Sequence, residues 1–363
     1  MVNITVIGAG VYGLSCALAL LNDGHQVRVL EKSRVGQGAS GGLVGALSPH
    51  VPEDWNIRKQ FQLGALVSAE KHWAEVEALS NLPSGYGRVG RYIPLNDAYE
   101  AEKAKGRCAG AVRLWPKGFD WRVLPDAPHI AREVAPYGVV HETLSARISP
   151  RLACAALAAA VLKSGGEVIE NHPVETLEGI NVIAAGIGSE ALLSPFLGEG
   201  KIRGVKGQSA LLSGGLPAGS PVIYGNGVYI IPHADGRVAV GATSENKFLK
   251  PHSTDALLDA VLAKAYAIVP ALAAAKVLER HAGLRPRAPK PEAMLGQLDA
   301  HTFVATGGFK TGLGNAHVIA AALVRLVRGE DPDIPKDLSP THHLTKRVKQ
   351  PMPWQISARP ETG

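Results

Sequence analysis

The sequence predicts an α/β fold built on a doubly wound layer, and three observations carry that expectation. The first is the order of elements in residues 3–31: a strand, a glycine turn, a helix, a second strand and a closing acid. The second is glycine itself, 41 of 363 residues, about one in nine against the usual ~7%. Such a chain makes many tight turns or lets its backbone approach a ligand closely. The third is composition. At 46% hydrophobic and 19% charged the chain is not disordered, and its length serves two domains or one large interleaved unit.

Each element of the opening unit has a physical job. Asn3-Ile4-Thr5-Val6-Ile7 is a β-branched strand running into Gly8-Ala9-Gly10-Val11-Tyr12-Gly13. Leu14 to Leu21 has helix-forming composition and is closed by Asn22-Asp23-Gly24; Gln26 to Leu30 alternates as a second strand and ends at Glu31. Gly8 permits the turn, Gly10 removes a Cβ that would block a pyrophosphate, and Gly13 lets the helix pack closely on the strand. Backbone amides at the helix start, near Val11 and Tyr12, are placed to hold the anion. Glu31 lies 23 residues after Gly8, a distance suited to accepting hydrogen bonds from ribose hydroxyls, and its charge disfavours a 2′-phosphate. A second small-residue loop, Gly36 to Gly42, suits a long ligand reaching towards a flavin better than a nicotinamide. Lys32, Ala39, Ser40, Gly42 and Leu43 complete this expected cofactor-binding set.

Further along, few breakers and apolar residues at Phe61, Leu63, Leu66, Trp73, Val76 and Leu79 predict a helix over 60–79. Ser149-Pro150 is a helix start for the Ala/Leu-rich run from Arg151 to Lys163. No internal repeat or low-complexity linker interrupts the chain. No apolar run reaches the ~18 residues of a membrane span, and the N-terminus lacks the basic region of a signal peptide. Cys16, Cys108 and Cys154 are odd in number and widely spaced, which suits reduced thiols, no metal site and a cytoplasmic location. Net charge is +6, of which +3 lies in the Pro-rich stretch 336–363 (Lys336, Lys346, Arg347, Lys349 and Arg359 against Asp337 and Glu361). Without a dense basic run or stacking aromatics beyond Trp354, that stretch reads as a solvated extension before it reads as a nucleic-acid contact.

Later motifs carry a resemblance. Asn181-Val182-Ile183-Ala184-Ala185-Gly186-Ile187-Gly188-Ser189, Val205-Lys206-Gly207-Gln208, Tyr229-Ile230-Ile231-Pro232, Gly236 to Thr243, Ala282-Gly283-Leu284-Arg285-Pro286 and Gly307-Gly308-Phe309-Lys310-Thr311-Gly312-Leu313-Gly314 occur in that order, the last followed by an apolar helix from Val318 to Val327. Together with the opening fingerprint they resemble the FAD-dependent D-amino-acid oxidase superfamily, and within it glycine oxidase and related amine-oxidising members. The resemblance implies an α/β plus α+β fold class, a Rossmann-type doubly wound FAD domain (1–80, 145–204 and 280–335) interleaved with an antiparallel-sheet substrate domain (81–144 and 205–279), and the basic tail 336–363. It implies FAD held without a covalent bond, since no cysteine lies near Arg285 or the closing glycine loop.

The implied reaction oxidises an amine by hydride transfer to flavin N5, leaving an imine that water hydrolyses, with oxygen or another acceptor taking the electrons. Arg285 is expected to clamp the substrate carboxylate and border the cofactor, its planar fork matching two carboxylate oxygens. Tyr229 is expected to hydrogen-bond that carboxylate. Lys310 stands where the glycine-oxidase pattern has arginine, a departure that weakens the case for glycine itself. Amides of Thr311, Gly312 and Leu313 would stabilise charge on the reduced flavin, Val174 would contact adenine, and Ala185 and Gly186 would lie beneath the cofactor. Leu43, His50, Ser244 and Gly308 are expected to line the substrate pocket. His233, His281 and His317 lack metal-ligand spacing and read as packed or surface residues; Arg287 is given a structural or surface role. Two other readings stay open: oxidation of a carboxymethylamino group on a tRNA wobble uridine, because Gly42 to Pro49 also resembles the FAD domain of that enzyme, and a flavoprotein without catalysis.

Overall fold

A computed structural model describes residues 2–345; Lys346, Arg347, Lys349, Trp354, Arg359 and Glu361 of the basic tail lie outside the described residues. Two sheets organise the chain. The first has six strands in the order Met294–Gln297, Thr302–Thr306, Ile180–Ile183, Asn3–Ile7, Gln26–Leu30 and Glu167–Ile169. All neighbours are parallel except the first pair, which is antiparallel. Parallel strands are buried on both faces and read as apolar runs; Ile4, Val6, Val29, Val182 and Val304 are each at most 2% exposed.

Helices cover this layer. Val11–Asn22, Ile57–Ser80, Pro150–Lys163 and Gly312–Val327 pack on one another. The helix predicted over 60–79 is longer, because the Asn56 side chain accepts from the Arg58 and Lys59 amides and caps it earlier, while Asn81 closes it in the left-handed conformation. Its buried stripe is Leu63, Leu66, Ala69, Trp73 and Val76; Leu79, expected on that stripe, is exposed. The first helix begins at Val11, inside the glycine fingerprint. The last begins at Gly312, not Val318, so its N-terminal turn is made of the closing glycine loop.

The second sheet has eight strands: Val277–Arg287, Arg203–Leu212, Val238–Gly241, Val228–Pro232, Val222–Gly225, Arg91–Pro94, Val139–Glu142 and Trp121–Leu124. Neighbours are antiparallel apart from Val222–Gly225 beside Arg91–Pro94. One face of its centre, with Ala210, Leu212, Ile230, Val238 and Val240, packs against the helix Ala256–Ile268. The opposite face, with Leu211, Tyr229, Ile231 and Ala239, meets Leu43, Val44 and Ala46. Residues 280–287, grouped above with the cofactor domain, pair along Arg203–Leu212 in this second sheet. The guanidinium at position 285 therefore rides on the eight-stranded sheet.

Candidate active site

The opening turn is set by close approaches. Gly8 has φ +107°, and a Cβ there would lie 2.7 Å from the Ala184 carbonyl oxygen; a Cβ on Gly13 would lie 1.8 Å from the Gly8 oxygen. Both positions are closed to any side chain by backbone. Gly10 differs: its φ is −82°, and a Cβ would meet only the Ser40 Oγ at 3.3 Å. The fold tolerates a Cβ at Gly10, so its glycine leaves room in front of the turn.

Donors face that room. The Glu31 carboxylate accepts from the Ala9 amide at 2.8 Å and the Ser33 amide at 2.9 Å, which fixes it beside the turn. Ser40 Oγ accepts from the Val11 amide at 3.0 Å, and the Gly36 amide donates to the Ala9 oxygen at 2.9 Å, so the second small-residue loop folds onto the first. The amides of Gly10, Tyr12 and Gly13 make no hydrogen bond with described residues, nor do those of Gly312 and Leu313 at the start of the last helix. Unpaired helix-start amides facing an acid-flanked glycine turn suit the pyrophosphate and ribose of a dinucleotide. FAD fits the residues present.

Several expected cofactor residues are placed differently from one another. The Tyr12 side chain is buried and its hydroxyl donates to Asn315 Oδ1 at 2.7 Å, tying the first helix to the last; only its backbone faces the turn. Its ring also lies where a Gly308 Cβ would be, at 2.7 Å from the hydroxyl oxygen, so buried Gly308 serves packing against Tyr12. Ala185 and Gly186 lie against the opening turn and Pro286 respectively, the latter with φ +58°. Val174 is half-buried in a cluster with Ile7, Ile183 and Ala185. Leu43 is buried, its oxygen 3.0 Å from His233 Nε2. Lys32, Ala39, His50 and Ser244 are exposed, and His50 makes no hydrogen bond with described residues.

The substrate face is built across strands. Register places His281, Ser209, Gly241, Tyr229 and Tyr224 in one row. Cross-strand partners share a face, so the middle of the row is small. Arg285, paired with Val205, leans over Gly207: a Cβ on Gly207 would lie 2.2 Å from Arg285 Nη2. Arg285 Nη1 donates to the Thr243 oxygen at 3.1 Å. Thr243 follows two residues after Gly241, the partner of Tyr229. The Tyr229 ring is braced by Tyr224 at 4.5 Å between centroids. Burial pushes the Arg285 pKa down, with Glu245 opposing. That acid is engaged elsewhere, 3.5 Å from the buried Lys206 and accepting from Gln208.

The closing loop joins this face. Phe309 donates its amide to the Pro286 oxygen at 3.2 Å, and Arg287 bridges to Gly308. Lys310 is exposed beside the Phe309 ring. Sequence reasoning passed over Gly207, Ser209, Gly241 and Gly283, the floor of the face. It also set Arg287 apart from Arg285, although two residues along a strand return to the same side. Period-two spacing in Gly283, Arg285 and Arg287 was the available signal. Finally, Arg151, on the helix Pro150–Lys163, joins the small-residue loop to the edge strand Val277–Arg287: its Nε donates to the Gly41 oxygen at 2.7 Å and its terminal nitrogens grip Glu279 at 2.6 and 2.9 Å.

Among the described residues no group of His, Cys, Asp or Glu could hold a metal ion, and no helix is long and apolar enough to cross a membrane. Several known proteins are similar to this chain. Glycine oxidase of Pseudomonas aeruginosa is 26% identical over 94% of this chain and 99% of its own length. The bifunctional protein ThiO/ThiG of Synechocystis sp. is 24% identical over 99% of this chain, which spans 56% of that protein. A shorter stretch of 59 residues, 16% of this chain and 9% of the other, is 51% identical to the tRNA 5-methylaminomethyl-2-thiouridine biosynthesis bifunctional protein MnmC of Hydrogenovibrio crunogenus. The crystal structure of glycine oxidase from Geobacillus kaustophilus superposes with a TM-score of 0.82 at 20% identity, covering 95% of this chain and 98% of that one. The family model for FAD dependent oxidoreductases of the DAO type matches residues 3–326, and the chain belongs to that family, with FAD as its cofactor.

Proposed function

We propose that the chain oxidises a small carboxylated amine or amino acid, with the six-stranded layer holding FAD and the eight-stranded sheet holding substrate. The observation that carries this reading is Arg285, lying over Gly207 and held by the Thr243 oxygen, with no ion pair to a carboxylate among the described residues. Its fork takes the substrate carboxylate, the Thr243 oxygen fixes the fork's orientation, and the Tyr229 hydroxyl donates to the same group. Gly207 lets the Arg285 guanidinium cross the sheet face, since a Cβ there would lie 2.2 Å from Nη2. FAD supplies the electron sink for the C–H bond that breaks.

The protein's part is orientation and exclusion of water. The substrate amine must arrive neutral, because its lone pair assists loss of the hydride, and the surrounding cations favour that form. Amides of Gly312 and Leu313 lie at the positive end of the last helix and stabilise negative charge there. Lys310 stands at the mouth. Side chains of Leu43, Val44 and Tyr229 keep the floor apolar.

A second reading, oxidation of a carboxymethylamino group on tRNA, is favoured by the 59-residue match and would place the same carboxylate on Arg285. The deciding experiment is anaerobic bleaching of the flavin-loaded protein with a panel of amines, followed by air. Bleaching by small carboxylated amines supports the first reading and rapid recolouring makes it an oxidase. Bleaching only by modified tRNA, with affinity falling steeply in salt, replaces it with the second. No bleaching by either leaves a flavoprotein without this chemistry.

A further inference from the structure

Four cations gather where the substrate face meets the closing loop. Arg285 and Arg287 share one side of their strand, and Arg203 is the cross-strand partner of Arg287. Like charges placed opposite each other destabilise a sheet. The Arg287 guanidinium carbon lies 5.5 Å and the Lys310 Nζ 5.6 Å from the centroid of the same ring, Phe309. Phe309 itself is held at φ +43°, a left-handed conformation that a bulky residue adopts only when its surroundings force it. Partial burial, then the charges of Arg285 and Arg287, pushes the Lys310 pKa down.

Among the described residues Arg285, Arg287 and Lys310 form no ion pair, and the one acid felt at Arg285, Glu245, is engaged by Lys206. Ion pairs at this edge of the sheet use Arg151, Lys206 and Arg280 instead. A single carboxylate on Arg285 leaves Arg287 and Lys310, both beside the Phe309 ring, without an anion among the described residues. We infer that this mouth binds a second anionic group, making the substrate a dicarboxylated amine with one carboxylate on Arg285 and the other on Arg287 and Lys310. The inference rests on the reading that Arg285 holds a carboxylate.

The test uses ligands that cannot be oxidised as amines. Diglycolate carries two carboxylates about an ether oxygen, and methoxyacetate is its single-carboxylate counterpart. Titration calorimetry on the FAD-loaded protein should give diglycolate an affinity about tenfold or more above methoxyacetate, shrinking as salt is added. Lys310→Met changes an exposed side chain and leaves the fold intact; it and Arg287→Met should each cut that ratio about threefold or more. Equal affinities in the unaltered protein, or a ratio unmoved by both variants, overturn the second site. In that case methoxyacetate binding and bleaching by monocarboxylated amines survive. Loss of those as well overturns the Arg285 reading instead.

Discussion

The opening turn and the substrate face use glycine for opposite ends. At the turn, Gly8 and Gly13 are imposed by backbone: a Cβ at either would meet a carbonyl oxygen or a neighbouring backbone atom at 1.8–2.7 Å. On the substrate face, Gly207 is imposed by a side chain, the Arg285 guanidinium lying where its Cβ would be. The first kind of glycine holds the chain's own path together. The second clears space for a functional group to cross. Losing the first should cost the fold, and losing the second should cost only the chemistry.

The sharpest way to break this contrast is within the turn itself. Gly13→Ala should leave little folded protein, since the steric conflict is between backbone atoms that cannot move apart; the expected cost is about 4 kcal/mol or more. Gly10→Val should fold with near-normal thermal stability yet purify without yellow colour, because its Cβ conflicts only with Ser40 and the space in front of the turn. If both variants behave alike by denaturation and absorbance, the distinction fails.

Acid should come next in size. Burial, followed by the neighbouring charge of His72, lowers the His317 pKa to about 3; burial lowers that of His72 to about 4, and the rings stack at 4.7 Å between the two helices that carry them. Both folded values lie below the unfolded 6.5. The unfolded chain therefore binds more protons as pH falls below 6.5, and stability is lost progressively down to about 4 and then 3. Between pH 6.5 and 4.5 the loss should be on the order of a few kcal/mol, read by urea unfolding. His72→Phe should flatten the profile; an unchanged slope would remove these two rings as its cause.

Arg285→Ala tests the other region. Carboxylate ligands should bind about a hundredfold more weakly, while the flavin stays bound and thermal stability changes little. Equal loss of flavin would place Arg285 with the turn. The smallest effect belongs to Tyr12→Phe, which leaves the buried Asn315 oxygen without its donor and should cost about 1–2 kcal/mol without bleaching the protein. A colourless variant would return the phenol to the cofactor.

The same contrast explains what could be read in advance. Strands Asn3–Ile7 and Gln26–Leu30 pair with each other, Glu31 accepts from the Ala9 amide and Gly13 answers to the Gly8 oxygen, so much of this unit appears as a local pattern; Gly8 also answers to Ala184. Arg285 and Tyr229 were reachable through resemblance. Their floor was not, because Gly207, Gly241 and Gly283 derive their meaning from register between strands far apart in the chain. Tyr12 combines a local and a distant demand, its amide standing at the turn. It sits inside a cofactor fingerprint, yet its side chain answers to Asn315, some three hundred residues away. The start of the last helix moved to Gly312 because glycines that look like a loop in isolation are helical once Thr311 accepts from the Gly314 and Asn315 amides.

Arg151 has a mechanical consequence. One guanidinium grips both the carbonyl at Gly41 and the carboxylate at Glu279, so the small-residue loop and the edge strand leading to Arg285 are riveted through a single planar group. A hinge that swung one sheet away from the other would shear that rivet first.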